Sequence, residues 1–148
     1  MPSLSASVSA DARQTITVLS IDDTPTFRQL IRLTLEFAGF RVIEASDGQQ
    51  GLSLAQSSVP DLILLDLMMP VMDGVAVCQH IMGSPHLRHI PVVVLSSSED
   101  SDEIETCLVM GATNYLLKPF RPQMLIDVVR QSIQASGSRS VVHSTPIA

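Results

Sequence analysis

Short apolar runs alternate along the chain with longer segments of mixed polarity. The run at residues 62–65 is uninterrupted, and the run at 90–95 contains a single proline. Runs of this length without alternation are typical of strands buried on both faces, as in parallel sheets covered by helices. Three further segments are rich in β-branched and apolar residues, at 15–21, 40–45 and 114–117. The pattern therefore predicts five strands.

The segments between these runs have the periodicity and the boundaries of helices. In the first, Thr24-Pro25 provides a start and Gly39 a stop. Its residues at helical spacing are Phe27, Leu30, Ile31, Thr34, Leu35 and Ala38. The same reasoning predicts helices at about 25–38, 48–58, 74–82, 99–110 and 122–135. Strands that alternate with helices through short connections predict one α/β domain with a parallel sheet and right-handed crossovers.

The two ends of the chain lack such a pattern. Residues 1–14 are rich in Ser and Ala, and residues 136–148 are rich in Ser, Gly and Thr. We expect both to be flexible tails around a single domain at 15–135. No segment resembling a helix-turn-helix, cyclase or methylesterase follows the domain, so we expect a stand-alone module that acts by binding another protein; a piece of a longer protein is the alternative.

Charge and composition exclude several classes of partner. Nine Lys and Arg against 15 Asp and Glu give a net charge of −6 without a basic cluster, which argues against direct binding of nucleic acid. No apolar run approaches the length of a membrane span, and no signal peptide is recognisable, so a cytoplasmic protein is expected. Cys78 and Cys107 lie in apolar segments, and we interpret them as reduced core residues.

Polar residues stand where the predicted strands end. Asp22 and Asp23 follow the first strand, Asp66 the third, Ser96 the fourth and Lys118 the fifth. In open α/β sheets ligands bind beyond the carboxyl ends of the strands. Three converging carboxylates repel one another and would have raised pKa values unless a cation joined them, and Mg²⁺ prefers carboxylate oxygens, carbonyl oxygens and water. With a hydroxyl and an ammonium beside them, these groups suit phosphoryl transfer onto Asp66.

These residues, and Tyr115 in the predicted fifth strand, also have ordinary structural interpretations. Asp22 could cap a helix, Ser96 could be a loop residue, Lys118 could be solvated, and Tyr115 could be a core or rim aromatic. Any one of these alternatives is credible by itself. The occurrence of all these polar residues at the same end of successive strands favours a functional site.

Four segments together resemble the receiver domain of two-component response regulators. They are IDD (21–23), LLDLMMPVMDG (64–74), VVVLSSS (92–98) and NYLLKPF (114–120). The resemblance extends over about residues 15–135 and is closest to the single-domain type found in chemotaxis. It implies a doubly wound, five-stranded α/β fold of the flavodoxin-like type.

The resemblance also implies a role for each residue of the site. Asp66 would be the phosphoacceptor. Asp23 would bind Mg²⁺ directly, Asp22 mainly through water, and the backbone carbonyl of Met68 would be the third protein ligand; Mn²⁺ could substitute for Mg²⁺. A phosphohydrolase with an Asp nucleophile would carry a second Asp at position 68, so Met68 argues against that enzyme class.

Further residues would bind the phosphoryl group or respond to it. Ser96 and Lys118 match the residues that contact the phosphoryl group, and Tyr115 matches the aromatic that changes rotamer when the hydroxyl moves. Pro119 would follow a cis peptide bond. Met68 and Ser98 occupy the positions that tune dephosphorylation, and because Met68 has no acid or base, slow self-dephosphorylation is expected.

The partners implied are those of a signalling module rather than an enzyme. The phosphoryl group would come from a sensor histidine kinase or a histidine phosphotransfer protein. The changed surface of the fourth helix, fifth strand and fifth helix would then bind an output protein or a second copy of the chain. A phosphorelay intermediate is the alternative role, and a flavin binder is disfavoured by the acidic edge and the few aromatic residues.

Overall fold

The five predicted strands form one parallel sheet in the computed structural model, which describes residues 15–69, 72–97 and 101–144. The strands are β1 (Thr17–Ile21), β2 (Arg41–Ala45), β3 (Leu62–Asp66), β4 (Val92–Ser96) and β5 (Asn114–Leu117). Their order is β2-β1-β3-β4-β5, and every neighbouring pair is parallel. The predicted doubly wound α/β fold is therefore confirmed.

Among the described residues, five helices connect and follow the strands. They are α1 (Pro25–Phe37), α2 (Gly48–Ser58), α3 (Gly74–Met82), α4 (Ser101–Met110) and α5 (Pro122–Ser144). Asp47 and Asp73 begin α2 and α3 as N-caps, because their carboxylates accept hydrogen bonds from Gln50 N and Ala76 N, each at 2.8 Å. None of the described helices is both long and apolar enough to span a membrane.

The last helix is longer than predicted. The sequence pattern placed its end at residue 135, with an unpatterned tail after it, whereas α5 continues to Ser144. No proline interrupts residues 123–144, and each Ser or Gly costs less than about 1 kcal/mol relative to Ala in a helix, so the hydrogen-bond ladder continues through them. The expected tail at 1–14 lies outside the described residues.

Helices cover both faces of the sheet. Leu62 and Leu64 of β3 pack in the cluster that contains Ile31 of α1 and Leu125 of α5. The alternate residues of β3 and β1 pack on the other face against α2, α3 and α4, in the cluster of Ile21, Ile63, Leu65, Ala55, Val77, Ile81 and Ile104. Both sets of β3 side chains are buried, which explains why this strand is uniformly apolar.

The core includes the two cysteines as free thiols. Cys78 of α3 and Cys107 of α4 are both fully buried and form no disulfide, as the sequence predicted. A hydrogen bond between them, together with burial, raises the pKa of the Cys107 thiol, so this group stays protonated.

Candidate functional site

Four strands deliver polar side chains to one edge of the sheet. Asp66 is the last residue of β3 and is paired with Leu95, and Ser96 is the last residue of β4 and is paired with Leu117. Asp22 and Lys118 follow β1 and β5 directly. Because the strands are parallel and in register, their carboxyl ends meet, and the structure brings these predicted residues together.

Three carboxylates form the centre of this edge. Asp22, Asp23 and Asp66 each offer an oxygen atom within 4.8 Å of the others. Asp22 is 0% exposed and Asp66 is 2% exposed, while Asp23 is the most exposed of the three. Such a group repels itself strongly unless positive charge is close by.

Lys118 provides one positive charge inside the structure. Its Nζ atom lies 3.2 Å from Asp66 Oδ1 and 3.9 Å from Asp22 Oδ2. The same ammonium lies 4.3 Å from the centroid of the Phe27 ring, which meets the Phe120 ring edge-on at 5.5 Å between centroids. Phe27 therefore supports Lys118 through a cation–π contact, and Phe120 packs against the Phe27 ring.

The Asp22 carboxylate is only half satisfied. Oδ1 accepts a hydrogen bond from Thr24 N at 2.8 Å, while Oδ2 is buried and has no hydrogen-bond partner among the described residues. Burial raises the pKa of Asp22 to about 6, opposed by the Thr24 bond and reinforced by the charge of Asp66. A buried carboxylate oxygen without a donor, among three converging carboxylates, fits a hard divalent cation such as Mg²⁺.

The remaining predicted residues surround this centre at different depths. Met68 N donates to Asp66 Oδ1 at 3.1 Å, while the Met68 side chain is 55% exposed. Ser96 is fully buried, and its carbonyl accepts from Lys118 N at 2.8 Å. The Lys118–Pro119 peptide bond is cis. Tyr115 lies on β5 with its side chain 43% exposed, and Ser98 lies outside the described residues.

Sequence reasoning missed the residues that support the site from α1. Phe27 holds Lys118, and Arg28 donates from its guanidinium to the backbone carbonyl of Asp22 at 2.7 Å. Arg28 also forms an ion pair with Glu44 of β2, at 3.1 Å. The available signal was Glu44, a charged residue in the interior of the second strand, together with two arginines one turn apart on the preceding helix.

The geometry is that of a known family, and comparison with known proteins agrees. The family profile described as response regulator receiver domain matches residues 18–130. The chain belongs to this family. It is a receiver domain of two-component signalling, a family of signalling modules that are phosphorylated by histidine kinases or phosphotransfer proteins and bind Mg²⁺ at acidic residues near the phosphorylation site.

Individual relatives cover the same region. The chain is 40% identical over 114 residues to the DNA-binding dual master transcriptional regulator RpaA of Synechocystis, which spans 76% of this chain and 47% of RpaA. This receiver domain thus spans about half the length of the curated relatives it matches.

Solved structures of short receiver proteins match over nearly their whole length. The chemotaxis protein CheY4 of Vibrio cholerae is 30% identical, with a TM-score of 0.75, over 80% of this chain and 98% of that protein. A putative response regulator of Chloroflexus aurantiacus is 29% identical, with a TM-score of 0.77, over 82% of this chain and 99% of the other. These likenesses agree with the fold described above.

Proposed function

We propose that this receiver domain accepts a phosphoryl group on Asp66 in a Mg²⁺-dependent reaction and changes its binding partners in response. The observation that carries the proposal is the pairing of Asp66 with Lys118 at 3.2 Å beside the Oδ2 atom of Asp22, which accepts no hydrogen bond from a described residue. Lys118 holds the Asp66 carboxylate in place for reaction, and the neighbouring Asp22 carboxylate has an oxygen that a cation could bind. Both are buried at the carboxyl edge of the sheet.

The cation would be held by residues that already converge. Asp22, Asp23 and Asp66 supply the carboxylates, and the family pattern adds the backbone carbonyl of Met68. When bound, Mg²⁺ supplies positive charge that offsets the charge of the transferring group. Mn²⁺ takes the same ligand types and would substitute.

The chain's own groups would serve the acceptor and the bound phosphoryl group. An Asp66 carboxylate oxygen forms the bond to phosphorus while the phosphorus–nitrogen bond of a phosphohistidine breaks on the donor, a histidine kinase or phosphotransfer protein. The Lys118 ammonium, already beside Asp66, would pair with one phosphoryl oxygen. The Ser96 hydroxyl would donate a hydrogen bond to a second phosphoryl oxygen. The Tyr115 side chain would then rotate into the space that the hydroxyl leaves, and this rotamer change would be the switch.

The response would be transmitted through the face of α4, β5 and α5. Tyr115, Leu117 and Met124 on this face are 43%, 39% and 47% exposed, and they border a surface depression of about 450 Å³. Apolar side chains around a depression suit a protein partner, either an output protein or a second copy. Phosphorylation adds about −1.5 to −2 charges at the nearby sheet edge. This charge would shift the equilibrium between two conformations of the α4–β5–α5 face towards the one that binds the partner.

The lifetime of the phosphoryl group is part of the proposal. Met68, at one of the two family positions that tune dephosphorylation, is 55% exposed and has no group that could orient or deprotonate water. We therefore expect slow self-dephosphorylation. A half-life of seconds for the phosphorylated protein would contradict this expectation.

The test is incubation with acetyl phosphate and Mg²⁺, followed by intact mass over time. We expect one added phosphoryl group, no addition in EDTA, and complete loss in Asp66→Asn. Asp61→Asn is the matched control, since Asp61 immediately precedes the strand that Asp66 ends, and it should be phosphorylated like the wild type. A folded wild-type protein that binds Mg²⁺ and acquires no phosphoryl group would overturn the proposal.

A further inference from the structure

Arg28 touches the acidic centre without being one of its ligands. Its side chain is 17% exposed and runs from the first turns of α1 to the end of β1. One end nitrogen donates to the backbone carbonyl of Asp22 at 2.7 Å, and Nε donates to Glu44 Oε1 at 3.1 Å. A single guanidinium therefore links the β1–α1 loop to the edge strand β2.

Three hydrogen bonds fix Asp22, two at its backbone and one at its carboxylate, and Arg28 makes one of the two backbone bonds. Asp22 N donates to Ala45 O of β2 at 3.1 Å, and Asp22 Oδ1 accepts from Thr24 N at 2.8 Å. The carbonyl belongs to the peptide group that joins Asp22 to Asp23, and Arg28 fixes that peptide plane. With these groups engaged, Oδ2 is the atom left for a cation.

We propose that Arg28 is a positioning residue for the cation site. It fixes the peptide between Asp22 and Asp23, so that both carboxylates are oriented before the metal binds. The proposal rests on the proposed Mg²⁺-dependent function. Groups that orient metal ligands from behind typically change metal affinity by about 10–100-fold when they are lost.

Glu44 offsets the charge that Arg28 places beside the cation site. A cation beside a metal site opposes metal binding, but Glu44 neutralises Arg28 and orients its guanidinium. Glu44 Oε2 also pairs with Arg32 at 2.8 Å, one turn farther along α1. Arg32 thus shares the carboxylate partner of Arg28 but, unlike Arg28, forms no hydrogen bond or ion pair with Asp22 among the described residues, which makes it the matched control.

Charge and positioning predict opposite effects for the loss of Arg28. If the residue acts only through its charge, Arg28→Met removes a repelling cation and Mg²⁺ binds more tightly. If it positions the loop, Arg28→Met binds Mg²⁺ more weakly although the repulsion has gone. Glu44 keeps Arg32 as its partner in this variant, so no carboxylate is left without a cation.

The experiment is calorimetric titration of the metal-free protein with Mg²⁺. We expect the Kd to rise about tenfold in Arg28→Met and to stay within about twofold of wild type in Arg32→Met. Arg28→Lys keeps the charge but loses the fork that serves two acceptors, so its Kd should fall between these values. Glu44→Gln should weaken binding less than Arg28→Met does.

A second measurement separates positioning from general loss of structure. In phosphorylation by acetyl phosphate, the Mg²⁺ concentration for half-maximal rate should rise in Arg28→Met, while the rate at saturating Mg²⁺ stays within about twofold of wild type. Damage to the fold would lower the rate at saturation as well. Urea unfolding of each variant identifies any that are not folded, and Arg28→Lys then carries the test.

The outcomes distinguish this inference from the proposed function. Unchanged or tighter Mg²⁺ binding in both Arg28→Met and Arg28→Lys overturns the positioning role and leaves phosphorylation of Asp66 intact. Equal weakening in Arg32→Met also overturns it, because a general effect of the ion-pair network would then be responsible. A wild-type protein that binds no Mg²⁺ overturns the proposed function, and the positioning role with it.

Discussion

The two ends of the sheet contain aspartates in opposite environments. Asp61, just before β3 at the amino end, is exposed, and its carboxylate accepts from Thr17 N at 2.8 Å. Asp22, just after β1 at the carboxyl end, is fully buried, and one of its oxygens accepts no hydrogen bond from any described residue. Both flank a strand of the same sheet, so residue type alone does not separate them, whereas the end of the sheet and the partners of the carboxylate do.

The difference identifies which acid belongs to a site. A buried polar atom without a partner costs about 1–3 kcal/mol, and folded proteins keep few of them. Asp61 has a sufficient structural role, because it ties two strands together. The buried Asp22 carboxylate destabilises the metal-free fold. Natural proteins accept such a cost at functional sites, and here a bound ligand would supply the interaction that Oδ2 lacks.

The largest predicted effect concerns the tightness of packing at the carboxyl end. A Cβ atom on Gly74 would lie 2.6 Å from Leu67 Cα and 2.7 Å from Asp66 O, both backbone atoms. Because backbone cannot move aside locally, we expect Gly74→Ala to lower the free energy of unfolding by about 3 kcal/mol. Urea denaturation measures this.

Gly39, in the turn between α1 and β2 at the amino end, is the comparison. It has a φ of +98° and nothing within 4 Å of an added Cβ, so Gly39→Ala should cost about 1–2 kcal/mol through backbone strain alone. If Gly74→Ala cost no more than Gly39→Ala, the close approach of α3 to the end of β3 would not constrain the site.

The next effect has the opposite sign. Asp22→Asn should stabilise the metal-free protein by about 2 kcal/mol at pH 7, because it removes a buried charge. Urea unfolding in EDTA measures the gain. Adding Mg²⁺ should then stabilise the wild type and not Asp22→Asn. The difference in free energy of unfolding between the two proteins should therefore shrink or change sign as the Mg²⁺ concentration is raised.

The pH dependence of this gain follows from the direction of the pKa shift. The pKa of Asp22 is about 6 in the folded protein against 3.8 for the ordinary group, so between these values the folded state binds more protons than the unfolded state. The contribution of Asp22 to stability is then fully present below about pH 4 and is lost as pH rises through 6. The advantage of Asp22→Asn should vanish at pH 4, and a constant difference across pH would contradict the burial argument.

The strand-end residues could be predicted from sequence because parallel strands leave little freedom. Once the apolar runs are accepted as strands, Asp22, Asp66, Ser96 and Lys118 must reach the same edge, and they do. The register and order of the strands then fix the distances between the backbones of these residues to within about the length of a side chain. No knowledge of side-chain packing is needed for that step.

What sequence could not supply depends on packing between elements. Leu30 has the helical spacing of Ile31 and Leu35, but it is 46% exposed because the sheet covers a narrower face of α1 than the pattern suggested. The same holds for polar contacts. That Arg28 reaches Asp22 O and Glu44, and that Asp22 Oδ2 is left without a donor, follows from where α1 crosses the sheet, which periodicity does not specify.

The smallest predicted effect completes the comparison. In Asp61→Asn the amide oxygen can still accept from Thr17 N, so only the charge assistance to one exposed hydrogen bond is lost. We expect a change in stability of about 0.5 kcal/mol or less, with Mg²⁺ affinity unaltered. Measured beside Asp22→Asn in the same urea and calorimetric series, this isosteric pair changes one carboxylate at each end of the sheet. Should Asp61→Asn alter Mg²⁺ binding as Asp22→Asn does, the cation would respond to the overall charge of the protein, and the contrast between a satisfied and an unsatisfied carboxylate would lose its meaning.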